Sequence, residues 1–275
     1  MSTETPIHTA QQLNELGLLP AELRPNIDHI VTEDGAPVDN LFSEKQQRFL
    51  ADSLYNSWKP TEPFVAMSNV GLFYAVKKPP FVPDLLVSLG VELPKDPFPK
   101  ENRSYFIWEY GKAPDAVVEI VSNKEGGEDS IKLKGYAQIG IPHYVIYDPD
   151  RHLDSRVLRV YRLRGRVYEL QADGAAFLES LGLGVMLWTG VYEGLEEIWL
   201  RWSNAHGEPL PSGAENTEIA NQRAEQAEFH AETAQQRAET AQQRAETAEQ
   251  RAETAEQRNE RLVAQLHKLG VDPET

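Results

Sequence analysis

A single glutamate interrupts an apolar stretch in the middle of the sequence. Glu119 lies within AVVEIV at residues 116–121, a β-branched run that is typical of a buried strand. Burying an unpaired carboxylate is costly, so we expect a cationic partner or a metal ion beside it. Glu119 is therefore the first candidate for chemistry.

Asp84 and Lys132 are candidates to join Glu119. Asp84 begins a second apolar segment, and Lys132 lies on a predicted helix over residues 128–139, one turn before Tyr136. Asp84 and Glu119 could hold Mg²⁺ or Mn²⁺ beside Lys132, because hard divalent cations prefer carboxylate oxygens and water. Such an ion screens phosphate charge and activates water. The structural alternative is that Asp84 only starts a strand and that Lys132 is a solvated lysine on the helix surface.

The residues up to about 205 have the pattern of a mixed globular domain. Helices are predicted at residues 9–18 and 42–58, with a capping box at Ser43 and Gln46. Gly140 is expected to end the helix over 128–139. The order of elements predicts an α/β (α+β) fold in which helices flank a mixed sheet. Strands are predicted within residues 63–76, 81–90, 116–121, 143–147, 157–170, 177–183 and 195–202.

Three segments resemble a known family. They are PDLLVS at 83–88, PDAVVEIVS at 114–122 and KLKGYAQIGIPHYVIYDP at 132–149. In order and spacing they are similar to the restriction endonuclease family often called Uma-two, within the PD-(D/E)XK nuclease superfamily. The resemblance covers about residues 25–200. It implies a restriction-endonuclease-like central sheet and a Mg²⁺- or Mn²⁺-dependent endonuclease that hydrolyses DNA phosphodiester bonds.

The resemblance also assigns roles to the acidic candidates. Asp84 matches the metal-binding aspartate of the family, and Glu119 matches the glutamate of its (D/E)XK element. A further acidic ligand on the early helix is left open, with Glu44 and Gln47 as possibilities. Asp115 also follows a proline, but a turn or capping role is expected for it.

The catalytic lysine departs from the usual pattern of the superfamily. Position 121, two residues after the glutamate, is Val121 instead of lysine. In the family a lysine instead stands on the next helix, four residues before a tyrosine, and Lys132 fits that place. Lys134 and Lys124 are competing candidates.

Further polar residues receive weaker assignments. His143 is expected to pack at a strand start, and Asp148 with Pro149 to form a turn. Arg162, Arg164 and Arg166 form the centre of a basic segment that is either a solvated hairpin face or a contact for DNA phosphates.

The overall composition limits the possible functions. The chain of 275 residues carries 43 Asp and Glu against 27 Lys and Arg, a net charge of −16. This acidity weighs against tight non-specific DNA binding and makes a bound cation necessary to a nuclease function. No cysteine is present, which excludes disulfide scaffolds, Cys-ligated zinc and a Cys nucleophile. We find neither a membrane-spanning run nor a signal peptide, and expect a cytoplasmic protein.

The C-terminal region has a seven-residue repeat. Alanines recur from residue 224 with alternating gaps of three and four, which is the seam of a coiled coil. With Ala224 at position a, Arg244 at g would meet Glu249 at e in a parallel pair, and Asn259 at a would fix register. The pattern predicts a homodimer through a parallel coiled coil. A single solvated helix is the alternative.

Four regions and two functions follow from these patterns. We expect an N-terminal segment at 1–24, an endonuclease domain at 25–205, a linker at 206–217 and a coiled coil at 218–270. The alternative function is a catalytically inactive nuclease fold that serves as a binding or scaffold protein through its coiled coil.

Overall fold

The computed structural model describes Arg24, Asn26 and residues 40–123, 126–171 and 175–270. The chain divides into two compact units, one ending at Ala214 and the other beginning at Glu215. The helix predicted at 9–18 and the candidate Lys124 lie outside the described residues.

The first unit contains three α-helices and eleven strands within the described residues, together with a π-helical turn and a short 3₁₀ helix at Lys100–Asn102. In chain order the elements of the protein are α1 (Leu41–Ser57), β1 (Phe64–Met67), β2 (Leu72–Phe73), β3 (Leu85–Leu89), β4 (Tyr105–Phe106), α2 (Ile107–Tyr110), β5 (Ala116–Ile120), a π-helical turn (Glu128–Lys132), α3 (Leu133–Ile139), β6 (His143–Tyr147), β7 (Leu158–Arg164), β8 (Val167–Leu170), β9 (Ala175–Leu178), β10 (Leu183–Tyr192), β11 (Leu195–Ser203) and α4 (Gly213–Lys268).

A six-stranded sheet forms the centre of the first unit. Its strands lie in the order β1-β3-β5-β6-β7-β8. Strands β5 and β6 are parallel, whereas the other neighbouring pairs are antiparallel. The predicted mixed sheet is therefore confirmed. A second, antiparallel sheet has the order β11-β10-β9, and β2 pairs with β4 in a short parallel ribbon.

Both faces of the six-stranded sheet are covered. On one face, Leu54 of α1 and Trp202 of β11 pack with Val118 in one buried cluster. On the other, Tyr136 of α3 packs with Val117 in a second cluster. Successive residues of β5 thus contribute to opposite layers, as the pleat of a strand requires. Glu119 has the same parity as Val117 and therefore points toward the layer that contains α3.

The start of α1 differs from the prediction. Asn40 is the N-cap, because its Oδ1 accepts a hydrogen bond of 2.9 Å from the Ser43 amide. The capping box predicted at Ser43 and Gln46 is therefore wrong. Gln46 is fully buried and exchanges hydrogen bonds of 2.9 and 3.0 Å with the backbone of Leu200, which ties α1 to β11.

The strand β10 was not predicted along its full length. Gly184 and Gly190 weaken a strand pattern in sequence. In the structure both positions are crowded, since a Cβ at Gly190 would overlap the Trp188 ring and one at Gly184 would overlap the Ser203 hydroxyl. The glycines thus make room for neighbouring side chains within the β10–β11 hairpin.

The C-terminal region is one long helix. α4 contains 56 residues, none of them buried, and would extend about 84 Å at 1.5 Å per residue. It begins at Gly213, earlier than the predicted start at 218, and the Gly213 amide donates a 2.7 Å hydrogen bond to the Asp52 carboxylate. A continuous helix with this heptad repeat fits a coiled coil. None of the described helices combines the length and apolarity needed to cross a membrane.

Candidate active site

Asp84, directly before β3, lies beside Glu119 of β5. Leu85 of β3 pairs with Val118 of β5, so the same antiparallel register carried one residue further places Asp84 opposite Glu119. The two residues are only 7% and 1% exposed. Oδ2 of Asp84 accepts a 2.6 Å hydrogen bond from the Ile120 amide, which fixes one side of that carboxylate against β5.

A helix supplies the partners of Glu119. Lys132 Nζ lies 2.8 Å from Oε2 of Glu119, and the Tyr136 hydroxyl donates a 2.6 Å hydrogen bond to Oε1. Lys132 and Tyr136 are one turn apart and therefore share a helix face. The structure thus brings together Asp84, Glu119 and Lys132, as the sequence predicted. Lys134 is exposed, and among the described residues the side-chain partners of Glu119 are Lys132 and Tyr136.

The π-helical turn positions Lys132. It begins after Gly127, whose positive φ of 72° suits a residue without a side chain. The Lys132 amide donates a 3.0 Å hydrogen bond to the Gly127 carbonyl. From β6, the Tyr144 hydroxyl donates a 2.9 Å hydrogen bond to the Glu128 carbonyl. This anchoring directs the end of the turn toward β5, and π-turns recur at functional sites.

The other side of Asp84 contacts α1. Gln47 Nε2 donates a 2.6 Å hydrogen bond to Oδ1 of Asp84, and Gln47 Oε1 accepts one of 2.7 Å from Asn69. Of the two early-helix possibilities, only Gln47 reaches the site. Glu44 lies 2.9 Å from Arg48 at the surface. Asn69 was missed by sequence reasoning, although its left-handed φ of 52° is typical of asparagine in a turn.

Burial sets the electrostatics of the pair formed by Glu119 and Lys132. Desolvation raises the pKa of Glu119 to about 8, although Lys132 and Tyr136 act in the opposite direction. Burial is the largest single influence and lowers the pKa of Lys132, but the carboxylates of Glu119, Glu128 and Asp84 together raise it more, so its net shift is upward. Burial also keeps the pKa of Tyr136 far above its usual value, so its hydroxyl remains a donor to Glu119.

The site fits a divalent cation held by two protein carboxylates. Within the described residues, no group of three or more His, Cys, Asp or Glu side chains is arranged to hold a metal. Mg²⁺, however, usually takes one or two carboxylates and keeps several waters. Burial and the neighbouring Asp84 carboxylate both raise the pKa of Glu119, so a positive charge beside the two carboxylates would stabilise their ionised forms. A cation bound by Asp84 and Glu119 would supply that charge.

The arginines of the β7–β8 hairpin are engaged in ion pairs. Arg162 lies 2.6 Å from Glu179, and Arg164 lies 3.5 Å from Glu169. Arg166 occupies the turn between the two strands. Partners of opposite charge therefore reduce the positive field of this segment.

The sheet register also separates these arginines from the acidic pair. Glu119 pairs with Ile146, which pairs with Arg159, so these three side chains share one face. Arg162, three residues after Arg159, points to the opposite face, as does Arg164. The structure places these arginines across the sheet from Glu119, and their contact with nucleic acid stays a prediction.

Three other polar residues have structural partners. Asp115 accepts a 2.8 Å hydrogen bond from the Leu89 amide, in keeping with a capping role. His143 is 3% exposed at the start of β6, and burial lowers its pKa. Asp148 accepts two backbone hydrogen bonds, from residues 152 and 153, and so closes a turn.

Comparison with known proteins identifies the family of this chain. The model of the Uma2 family, described as "Putative restriction endonuclease", matches residues 31–189, more than half of the chain. The chain therefore belongs to this family, as the resemblance implied. No curated protein matches the chain.

One solved structure provides a further comparison. It is described as "a putative nuclease belonging to DUF820" from Anabaena variabilis. It is 18% identical to this chain, and the match covers 51% of this chain and 73% of that one, with a TM-score of 0.36.

Proposed function

We propose that the first unit is a divalent-cation-dependent endonuclease that hydrolyses DNA phosphodiester bonds. The observation that carries this proposal is the meeting of three side chains from separate elements. Asp84 precedes β3, Glu119 lies in β5, and Lys132 ends the π-helical turn, yet Lys132 lies 2.8 Å from Glu119. Membership of the family supports DNA as the substrate.

Each residue of the site has a distinct part in this proposal. Asp84 and Glu119 would bind the cation, which supplies charge to screen the phosphate and to ease the deprotonation of water. Lys132 stabilises the charge that develops on the phosphate oxygens or orients the attacking water. Tyr136 donates to one oxygen of Glu119 and so fixes the direction in which that carboxylate points.

The second part of the proposal is self-association through α4. Its seam alanines and Leu262 are exposed in the single chain, as is Leu269 directly after its end. Among the described residues, Arg244 and Arg251 form no ion pair with a carboxylate of their own helix. They therefore remain available to Glu249 and its counterparts on a second copy. A parallel pair would bring two nuclease units together, and two sites are needed to cut both strands.

Plasmid nicking tests the nuclease activity. Purified protein with Mg²⁺ or Mn²⁺ should convert supercoiled plasmid to the nicked form, and EDTA should stop it. Glu119→Ala should abolish nicking, whereas Asp129→Ala should retain it, because Asp129 is an exposed carboxylate on the same turn as Lys132. If wild type and Glu119→Ala behave alike, the enzymatic function is wrong and the scaffold function is favoured.

A further inference from the structure

Glu128 is a buried carboxylate that the proposed chemistry does not yet use. Its side chain is 7% exposed, and its Oε1 lies 3.4 Å from Lys132 Nζ, four residues further along the π-helical turn. In the part of the chain that the structure describes, its Oε2 is buried without a hydrogen-bond partner. Such an oxygen costs free energy, so a structural role alone accounts poorly for this carboxylate.

The ammonium of Lys132 lies between two carboxylates. Its nearer contact is Glu119 Oε2 at 2.8 Å, from the strand, and its farther contact is Glu128 Oε1 at 3.4 Å, from the helix. A lysine ammonium has three donors, so both contacts can exist together with a third to substrate. Glu119 therefore contacts Lys132 from a separate strand, whereas Glu128 contacts it from within the same π-helical turn.

The two carboxylates would respond differently to a bound cation. A divalent cation on Glu119 would compete with Lys132 for the same carboxylate oxygens and would repel its ammonium. Glu128 would keep its contact, because its position is fixed within the turn. Its carbonyl accepts the Tyr144 hydrogen bond, and a Cβ at Gly126 would overlap its carboxylate, so the side chain packs closely against that glycine.

We propose that Glu128 is the positioning residue of Lys132, holding the lysine ammonium in the site when Glu119 binds the cation. This inference rests on the nuclease activity proposed above and adds a residue to it. Glu128 acts through Lys132 and binds neither the cation nor the DNA itself. Its carboxylate keeps the positive charge of the lysine directed at the phosphate.

A double-mutant cycle on the full-length protein tests this role. Single-turnover plasmid nicking at saturating Mn²⁺ is compared for Glu128→Gln, Lys132→Met and the double variant. Glu128→Gln should lower the rate about tenfold, as the loss of an orienting partner typically does. In the Lys132→Met background it should have no further effect, because the residue through which it acts is gone.

Mn²⁺ binding by calorimetry provides a second readout. Glu128→Gln should leave the Mn²⁺ dissociation constant within about threefold of wild type, whereas Glu119→Gln should weaken it by the 10–100-fold or so typical of disturbed metal sites. If Glu128→Gln is poorly folded, Glu128→Asp replaces it, and the retained charge should give a rate between wild type and Lys132→Met.

Three results would overturn the inference, and they are distinguishable. If Glu128→Gln lowers the nicking rate by the same factor in wild type and in the Lys132→Met background, Glu128 does not act through Lys132. A loss of Mn²⁺ binding as large as that of Glu119→Gln would make Glu128 a cation ligand. If wild type itself does not nick plasmid, the proposed function is wrong and the inference is wrong with it. If wild type nicks plasmid but the rate losses of the two single variants add in the double variant, only the inference is wrong.

Discussion

The ammonium of Lys132 contacts Glu119 although the two residues are 13 positions apart in sequence and lie on different elements. A lysine two residues after the glutamate would have the same parity as Glu119 and point to the same face of β5. That position is Val121, which is 2% exposed and packs in the second buried cluster. The π-helical turn thus places the ammonium of Lys132 in the site. Val121, at the strand position where the usual motif has lysine, packs in the core instead.

Replacing Lys132 should therefore remove most of the activity. Lys132→Met should slow single-turnover nicking by about 10²–10³-fold, the usual cost of losing one group that stabilises developing charge. Lys134→Met is the matched control, because Lys134 is exposed two residues further on and should stay within about twofold of wild type by the usual tolerance of surface substitutions.

Equal losses in the two lysine variants would contradict this assignment. So would a Lys134→Met variant that is the slower of the two. Thermal midpoints measured in parallel establish that both variants are folded when their rates are compared.

Glu119 should make the stability of the cation-free protein depend on pH. Its pKa of about 8 in the folded protein lies above the ordinary value of 4.5 because burial disfavours its charge. The folded state therefore binds the proton more tightly than the unfolded chain, and this contribution is present at low pH and lost as the pH rises through about 8.

Urea denaturation in EDTA measures this effect. Between about pH 5 and about pH 8 the free energy of unfolding of wild type should fall relative to that of Glu119→Gln, by at most about 1.4 kcal/mol per pH unit. A difference between the two proteins that is constant or rises with pH would contradict the raised pKa.

Gln47 and Gln46 are adjacent glutamines with different expected effects. Gln47→Ala removes the hydrogen bond to Asp84 and should weaken Mn²⁺ binding roughly tenfold, as loss of a residue that orients a ligand does. Gln46→Ala removes hydrogen bonds to the Leu200 backbone and should lower the thermal midpoint instead. If calorimetry shows the same Mn²⁺ affinity for Gln47→Ala and wild type, Gln47 does not orient the site.

The C-terminal leucines should dominate association through α4. Each buried leucine contributes about 1.5–3 kcal/mol, against roughly 0.8 kcal/mol for an alanine methyl. Leu266→Lys, at position a, should convert the dimer to monomer in sedimentation equilibrium, and Gln250→Lys, at position f, should not. Deleting residues 215–275 should also give a monomer. An unchanged stoichiometry in the deletion would contradict the coiled-coil dimer.

The elements of the fold were predictable where the local sequence pattern alone determines the structure. The β-branched run around Glu119 predicts a buried strand, and the spacing of Lys132 and Tyr136 predicts a shared helix face, because both signals are local. The N-cap at Asn40 and the full length of β10 were missed. Ser43 and Gln46 have the spacing of a capping box, which points to a later helix start than the structure has. The glycines of β10 are explained only by the side chains that pack against them.

Contacts between residues that are distant in sequence could not be predicted from the sequence pattern. That Gln47 rather than Glu44 reaches Asp84 depends on how α1 rotates against β3. The layer occupied by Arg162 depends on the register of β6 and β7. Glu128 stands four residues before Lys132, a spacing that signals a possible pair, but its burial is set by tertiary packing.

The account depends most on a divalent cation held between Asp84 and Glu119, and anomalous diffraction from crystals containing Mn²⁺ tests it most directly. We expect one strong peak in direct contact with carboxylate oxygens of both residues, and its absence from Glu119→Gln crystals. A peak at any other position, or no peak at saturating Mn²⁺, would contradict the proposed site.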